Sequence, residues 1–171
     1  VRVGKLLVQA SAKTLKRTTM ELGGHAPVIV FADADAEAIA EQAALVKFKH
    51  CGQVCASPSR FFIHERQAEE FTNKFIEIAR NFKLGNGLDS DVDIGPLATR
   101  KRLNEVEQMV AGTLESGARL RLGGKRPEGF ARGFFYEHTV FDQVPDHAPI
   151  LKEEPFGPLV PITTFRKFDE M

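Results

Sequence analysis

Apolar positions along the chain alternate between short β-branched or aromatic runs and longer stretches of helical spacing. Residues 28–31 (Val-Ile-Val-Phe) are a continuous apolar run of the kind a buried parallel strand needs. Asp33, Asp35 and Glu37 follow, and acids are favoured at a helix amino end. The spacing then predicts a helix through Ile39, Ala43, Val46 and His50. Residues 60–63 (Arg-Phe-Phe-Ile) read as a second strand. A helix over 66–82 would carry Phe71, Phe75, Ile78 and Phe82 on one stripe. Glycines and acids over 81–96 make a turn-rich link. A helix over 99–116 would point Leu103, Val106, Val110 and Leu114 inward, with Gly117 as its carboxyl-terminal cap. Strands are expected at 119–122, 134–141 and 159–165, with a turn at Gly123-Gly124 and a surface loop to Gly133. This alternation predicts an α/β fold: three layers, with a largely parallel sheet and helical crossovers.

The two ends read as cuts. Val3, Leu6, Leu7 and Ala10 have helical spacing with no capping residue before them. Residues 165–171 read as a strand end followed by a helix start, with Asp169 as an N-cap. The expectation is a segment of a longer protein.

Composition narrows the function classes. With 171 residues, 43% of them hydrophobic, the chain can bury a core without metal or disulfide staples. Lys+Arg and Asp+Glu are equal at 23 each, so no basic excess points to nucleic acid or a membrane surface. No apolar run approaches the roughly 20 residues of a membrane span. Two cysteines four residues apart do not make a secreted framework, so a reducing, cytoplasmic setting is expected.

Three segments could carry chemistry. Cys55 lies on a loop between a helix ended by Gly52 and the strand at Arg60. A sulfur there can be a nucleophile, provided its thiol ionises from an ordinary pKa of about 8.5, or it can be a small buried residue. Cys51 would share a helical face with Cys55. Packing, a redox disulfide and half a metal site are all open to it, though no second cysteine pair completes a zinc site. Glu21, before Gly23-Gly24 and the first strand, is either a general base or a solvated turn carboxylate. In residues 153–158 (Glu-Glu-Pro-Phe-Gly-Pro), a carboxylate could accept from a ribose diol and Phe156 could stack on a flat ring. The same residues could also be a rigid connector.

Taken together, residues 21–27 (Glu-Leu-Gly-Gly-His-Ala-Pro), 51–55 (Cys-Gly-Gln-Val-Cys) and 153–158 resemble the aldehyde dehydrogenase superfamily, in that family's order and close to its spacing. Residues 3–7 and 93–97 are also similar to family segments. The resemblance covers essentially the whole chain. It implies an aldehyde dehydrogenase catalytic-domain fold truncated at both ends. Residues 1–20 would be the end of a cofactor-domain helix and a connecting strand, and 21–171 the incomplete catalytic domain. It further implies Cys55 as the nucleophile that forms a thioester, and Glu21 as the base that activates water. Glu154 would hold the nicotinamide ribose of NAD or NADP, with Phe156 and Leu22 against the nicotinamide end. Glu21 disfavours an acylating, coenzyme A-dependent branch; a non-enzymatic module with the same fold is the other alternative. Residues 53–61 resemble a semialdehyde branch, with succinate semialdehyde as one candidate substrate; Arg60 has an ion pair within its loop as its simplest role. The full-length protein is expected to be a homo-oligomer, and the isolated segment inactive.

Overall fold

The computed structural model describes residues 2–171. Five strands form one sheet: β1 (Pro27–Val30), β2 (Arg60–His64), β3 (Arg119–Leu122), β4 (Thr139–Asp142) and β5 (Leu159–Phe165), in the order β1-β2-β5-β4-β3. All neighbours are parallel except the antiparallel β3–β4 edge pair. The helices are α1 (Arg2–Ala12), α2 (Ala36–Phe48), α3 (Ala68–Asn81), α4 (Arg100–Glu115) and the short α5 (Pro149–Lys152). The crossovers from β1 to β2 and from β4 to β5 run in opposite directions across the sheet. Right-handed connections therefore put them on opposite faces. Accordingly α2 packs with α3, and α4 with α5, which gives the three layers.

Local signals set these elements. The Asp35 carboxylate accepts from the Ala38 N–H at 3.0 Å and starts α2. The Thr99 hydroxyl accepts from the Arg102 N–H at 3.1 Å and starts α4. Gly117, at φ +100°, ends α4. The core between β2 and α3 is aromatic: Phe61 lies 5.6 Å from Phe75 edge to face, and Phe48 lies 5.8 Å from Phe75.

His138 belongs to this core. Its ring stands 4.5 Å from Phe48 and 6.0 Å from Phe82, and its Nε2 has no hydrogen-bond partner. Burial pushes its pKa down to about 4, with Asp93 opposing weakly. The unfolded chain, titrating near 6.5, then binds more protons than the folded one between those values. Stability should therefore fall as pH drops from about 6.5 towards 4, by up to about 3 kcal/mol. Urea unfolding midpoints at pH 7 and 4.5 check this, and His138→Phe should flatten the difference.

Several expectations are corrected. The helix predicted through His50 stops at Phe48; a 3-10 turn, Lys49–Gly52, follows, with His50 and Cys51 in left-handed conformation. Cys51 and Cys55 therefore share no helical face. Thr113, not Leu114, is the inward residue at the end of α4, because the buried stripe advances by 3 rather than 4 there. The strand predicted from 134 begins only at Thr139: before it, the Phe134 carbonyl accepts from the Leu97 N–H at 3.0 Å and the Glu137 N–H donates to the Lys125 carbonyl at 3.0 Å, both outside the sheet. Among the described residues, the connecting strand expected before residue 20 does not form: α1 is followed by a turn and an irregular stretch up to β1 at Pro27. Lys167, not Asp169, caps a short 3-10 turn at Phe168–Glu170. The apolar face of α1 is largely exposed, including Val3 and Leu6; only Gly4 is buried.

Candidate active site

The segments 21–26, 51–59 and 153–158 lead directly into β1, β2 and β5. These are three adjacent parallel strands, so the three segments meet at the amino ends of the sheet. The convergence follows from topology alone: parallel neighbours must be entered from the same side.

Close backbone contacts lock the segments together. A Cβ on Gly52 would stand 2.1 Å from the Gly157 carbonyl oxygen, and Gly52 itself has φ +72°. Gly157 in turn packs on Val106 of α4. A Cβ on Gly23 would stand 2.6 Å from Oε2 of Glu154, so the absent side chain lets that carboxylate lie on the backbone of the first segment. The Ser59 hydroxyl accepts from the Ala26 N–H at 3.0 Å and lies 2.9 Å from His25 Nδ1. Gln53 reaches the link before α4: its Oε1 accepts from the Ala98 N–H at 2.9 Å. Gly52→Ala should therefore cost about 3 kcal/mol or more, combining left-handed strain with a backbone clash. A lowered urea midpoint measures it.

Cys55 is exposed and free at the turn before β2, and its backbone N–H donates to no acceptor among the described residues. Cys51 is a free thiol, 1% exposed, and burial pushes its pKa up to about 12 against the opposing pull of Lys47. Of the alternatives for Cys51, packing is the observed one. Glu21 is exposed on the first segment. Leu22 is half-exposed and its methyls close over Gly4. An open cleft of about 460 Å³ is lined by Glu21, Leu22, Gly23, Met20 and α1. A second cleft of about 410 Å³ is lined by Glu154, Pro155, Glu153 and Arg102. With Gly23 in the first cleft, Glu154 in the second and the two in contact, the Glu154 carboxylate sits where the clefts adjoin. Phe156 takes φ +39°, unusual for a side chain of this size, and its ring lies under the Arg102 guanidinium at 5.6 Å. Arg60 makes no ion pair among the described residues; its guanidinium lies over the Phe62 ring at 5.9 Å, which corrects the loop ion pair expected of it.

Sequence reasoning missed Gln53, Ser59 and Lys47. Lys47 ends α2 almost wholly buried, 1% exposed, and the Ser57 hydroxyl donates to its carbonyl at 3.3 Å. An alanine-rich helix gives no hint that its one lysine near the end turns inward.

The profile of the aldehyde dehydrogenase family matches residues 1–171. The chain is 40% identical over 171 residues to 3,6-anhydro-alpha-L-galactose dehydrogenase of Vibrio sp. (strain EJY3), covering 99% of this chain and 36% of that protein. It is 39% identical over 164 residues to the NADP(+) succinate-semialdehyde dehydrogenase GabD of Escherichia coli (strain K12), covering 96% and 34%. The solved structure of succinate-semialdehyde dehydrogenase from Burkholderia pseudomallei superposes with a TM-score of 0.94 at 41% identity, covering 99% of this chain and 35% of that one. The chain thus spans about a third of the length of the curated relatives it matches. Matched from end to end, it belongs to the aldehyde dehydrogenase family.

Proposed function

We propose that these residues are the nucleophile-bearing part of an NAD- or NADP-dependent aldehyde dehydrogenase, which oxidises an aldehyde to a carboxylic acid. The observation that carries the reading is an exposed, free Cys55 on the middle of three converging loops, with Glu21 and Glu154 on the loops to either side. The Cys55 thiolate attacks the aldehyde carbon and forms a thiohemiacetal. The Cys55 backbone N–H stabilises the oxyanion; losing such a donor typically costs about 10²–10³ in rate. A bound nicotinamide nucleotide supplies the two-electron acceptor. The thioester left on Cys55 is hydrolysed by water that Glu21 deprotonates as general base. The residues at the adjoining clefts fit the nucleotide: Glu154 offers a carboxylate acceptor for a ribose diol, while Phe156 and Leu22 offer apolar surface beside it. A water-activating carboxylate at Glu21 favours hydrolysis over transfer to coenzyme A.

The substrate class is drawn more coarsely. Two similar proteins are named for different aldehydes, a sugar aldehyde and a semialdehyde. Residues 53–61 favour the semialdehyde. A homo-oligomer and a cytoplasmic setting complete the reading, and turnover is expected to need chain beyond these 171 residues. No helix among the described residues is long and apolar enough to cross a membrane.

Iodoacetamide near neutral pH tests the nucleophile. Cys55 should be labelled and Cys51 spared, as read by peptide mass spectrometry. The full-length protein, assayed with a panel of small aldehydes and both nucleotides, should reduce at least one of them. Absence of any aldehyde-dependent reduction removes the reading.

A further inference from the structure

His25 and Ser59 form a polar crosslink that the proposed chemistry does not use. Each stands four residues after a group that it does use: His25 after Glu21, and Ser59 after Cys55. The first paired residues of β1 and β2 are Pro27 and Arg60. Proline brings no N–H to that end of the ladder. The two chains nevertheless stay joined one residue further out. The Ser59 N–H donates to the Ala26 carbonyl at 3.0 Å, and the Ala26 N–H donates to the Ser59 hydroxyl at 3.0 Å. Beyond them, among the described residues, no hydrogen bond joins 21–24 to 51–58.

The outermost tie is the side-chain pair. His25 Nδ1 stands 2.9 Å from the Ser59 hydroxyl, which is itself buried. That hydroxyl already accepts from Ala26, so its one proton is assigned to Nδ1, and the ring proton to Nε2. Burial first, and then the Arg60 guanidinium, lower the His25 pKa from its ordinary value, which keeps the ring neutral and Nδ1 able to accept. Nε2 is buried and has no hydrogen-bond partner. An unpartnered buried polar atom is destabilising, so stability alone does not account for a histidine here. Between Glu21 and this crosslink lie Gly23 and Gly24, and a Cβ on Gly24 would meet nothing within 4 Å. The backbone carrying Glu21 is therefore free to wander except where the crosslink anchors it.

We propose that His25 and Ser59 are positioning residues: their hydrogen bond fixes the Glu21 segment against the Cys55 segment, at the separation that lets an activated water reach the acyl group. The proposal rests on the reading of Cys55 and Glu21 given above. Thioester formation needs Cys55 and not Glu21, so loosening the pair should slow hydrolysis and spare acylation.

The experiment follows the full-length protein by rapid mixing with nucleotide and a turned-over aldehyde. It reads the burst of reduced nucleotide and the decay of the acyl-enzyme. Ser59→Ala and His25→Phe should each keep a burst close to one equivalent per site and slow the decay about 10²-fold, the scale of a misplaced catalytic group. The double variant should decay within about threefold of either single one, because both remove the same bond. Ser59→Thr, which keeps the hydroxyl, and His25→Asn, whose Oδ1 can accept in place of Nδ1, should recover most of the rate. In a Glu21→Gln background, His25→Phe should slow the decay no further.

If Ser59→Ala does not fold, His25→Phe decides, since it leaves both Ser59–Ala26 hydrogen bonds in place. Decay at the wild-type rate in His25→Phe overturns the proposal. So does a burst that falls in step with the decay, a further full loss in the Glu21→Gln background, or a His25→Phe chain that does not fold; each marks a purely structural role and leaves the dehydrogenase reading standing. A wild type that forms no acyl group on Cys55 removes that reading, and this proposal with it.

Discussion

Cys55→Ala in the full-length protein is expected to lower kcat for aldehyde oxidation by roughly 10⁴-fold or more, the scale seen when a covalent nucleophile is removed. Cys51→Ala, by contrast, should leave kcat within a few-fold and cost stability instead. The contrast follows from burial: Cys55 stands free at the surface of its loop, while Cys51 is sealed in the core. Deleting the Cys51 sulfur leaves a small cavity beside Lys47 and Phe48, at a typical cost of about 1–2 kcal/mol. Steady-state kinetics and urea melts on the two variants separate the roles. A Cys55→Ala enzyme with near wild-type turnover would remove the nucleophile, and a Cys51→Ala enzyme equally dead would move it.

Glu21→Gln is expected to lower steady-state kcat by about 10²–10⁴, the usual contribution of a general base. The first turnover should survive. Forming the thioester needs the sulfur, the oxyanion donor and the bound nucleotide; hydrolysing it needs an activated water. A rapid-mixing experiment should therefore show a burst of reduced nucleotide, close to one equivalent per active site, followed by a slow steady state. Mass spectrometry of the quenched protein should find the acyl group on Cys55. Loss of the burst together with the steady state would place Glu21 in the first half of the reaction, not the second.

Much of the sheet was legible in the sequence because its strands carry short β-branched and aromatic runs: 28–31, 60–63 and 159–165 each fall within a residue of the observed strand. The errors fall where a non-local contact overrides a local pattern. Phe134 and Tyr136 look like strand residues, yet the backbone there bonds to Leu97 and Lys125 in the connecting links, and β4 begins only at Thr139. The helical period continues on paper to His50, but the chain turns left-handed at His50 and Cys51, letting Gly52 meet Gly157 across more than a hundred residues of sequence. The candidate site was legible as three separate motifs. Lys47 was not: nothing in Ala-Leu-Val-Lys-Phe distinguishes an inward lysine from an exposed one.

The Gly52–Gly157 contact has a dynamic consequence. Two glycines pressed carbonyl to α-carbon leave no slack, so the turn bearing Cys55 and the loop bearing Glu154 can open only as a pair. In hydrogen exchange, the amides around 51–53 and 157–159 should share one opening free energy and become protected together when nucleotide occupies just one of the two loops.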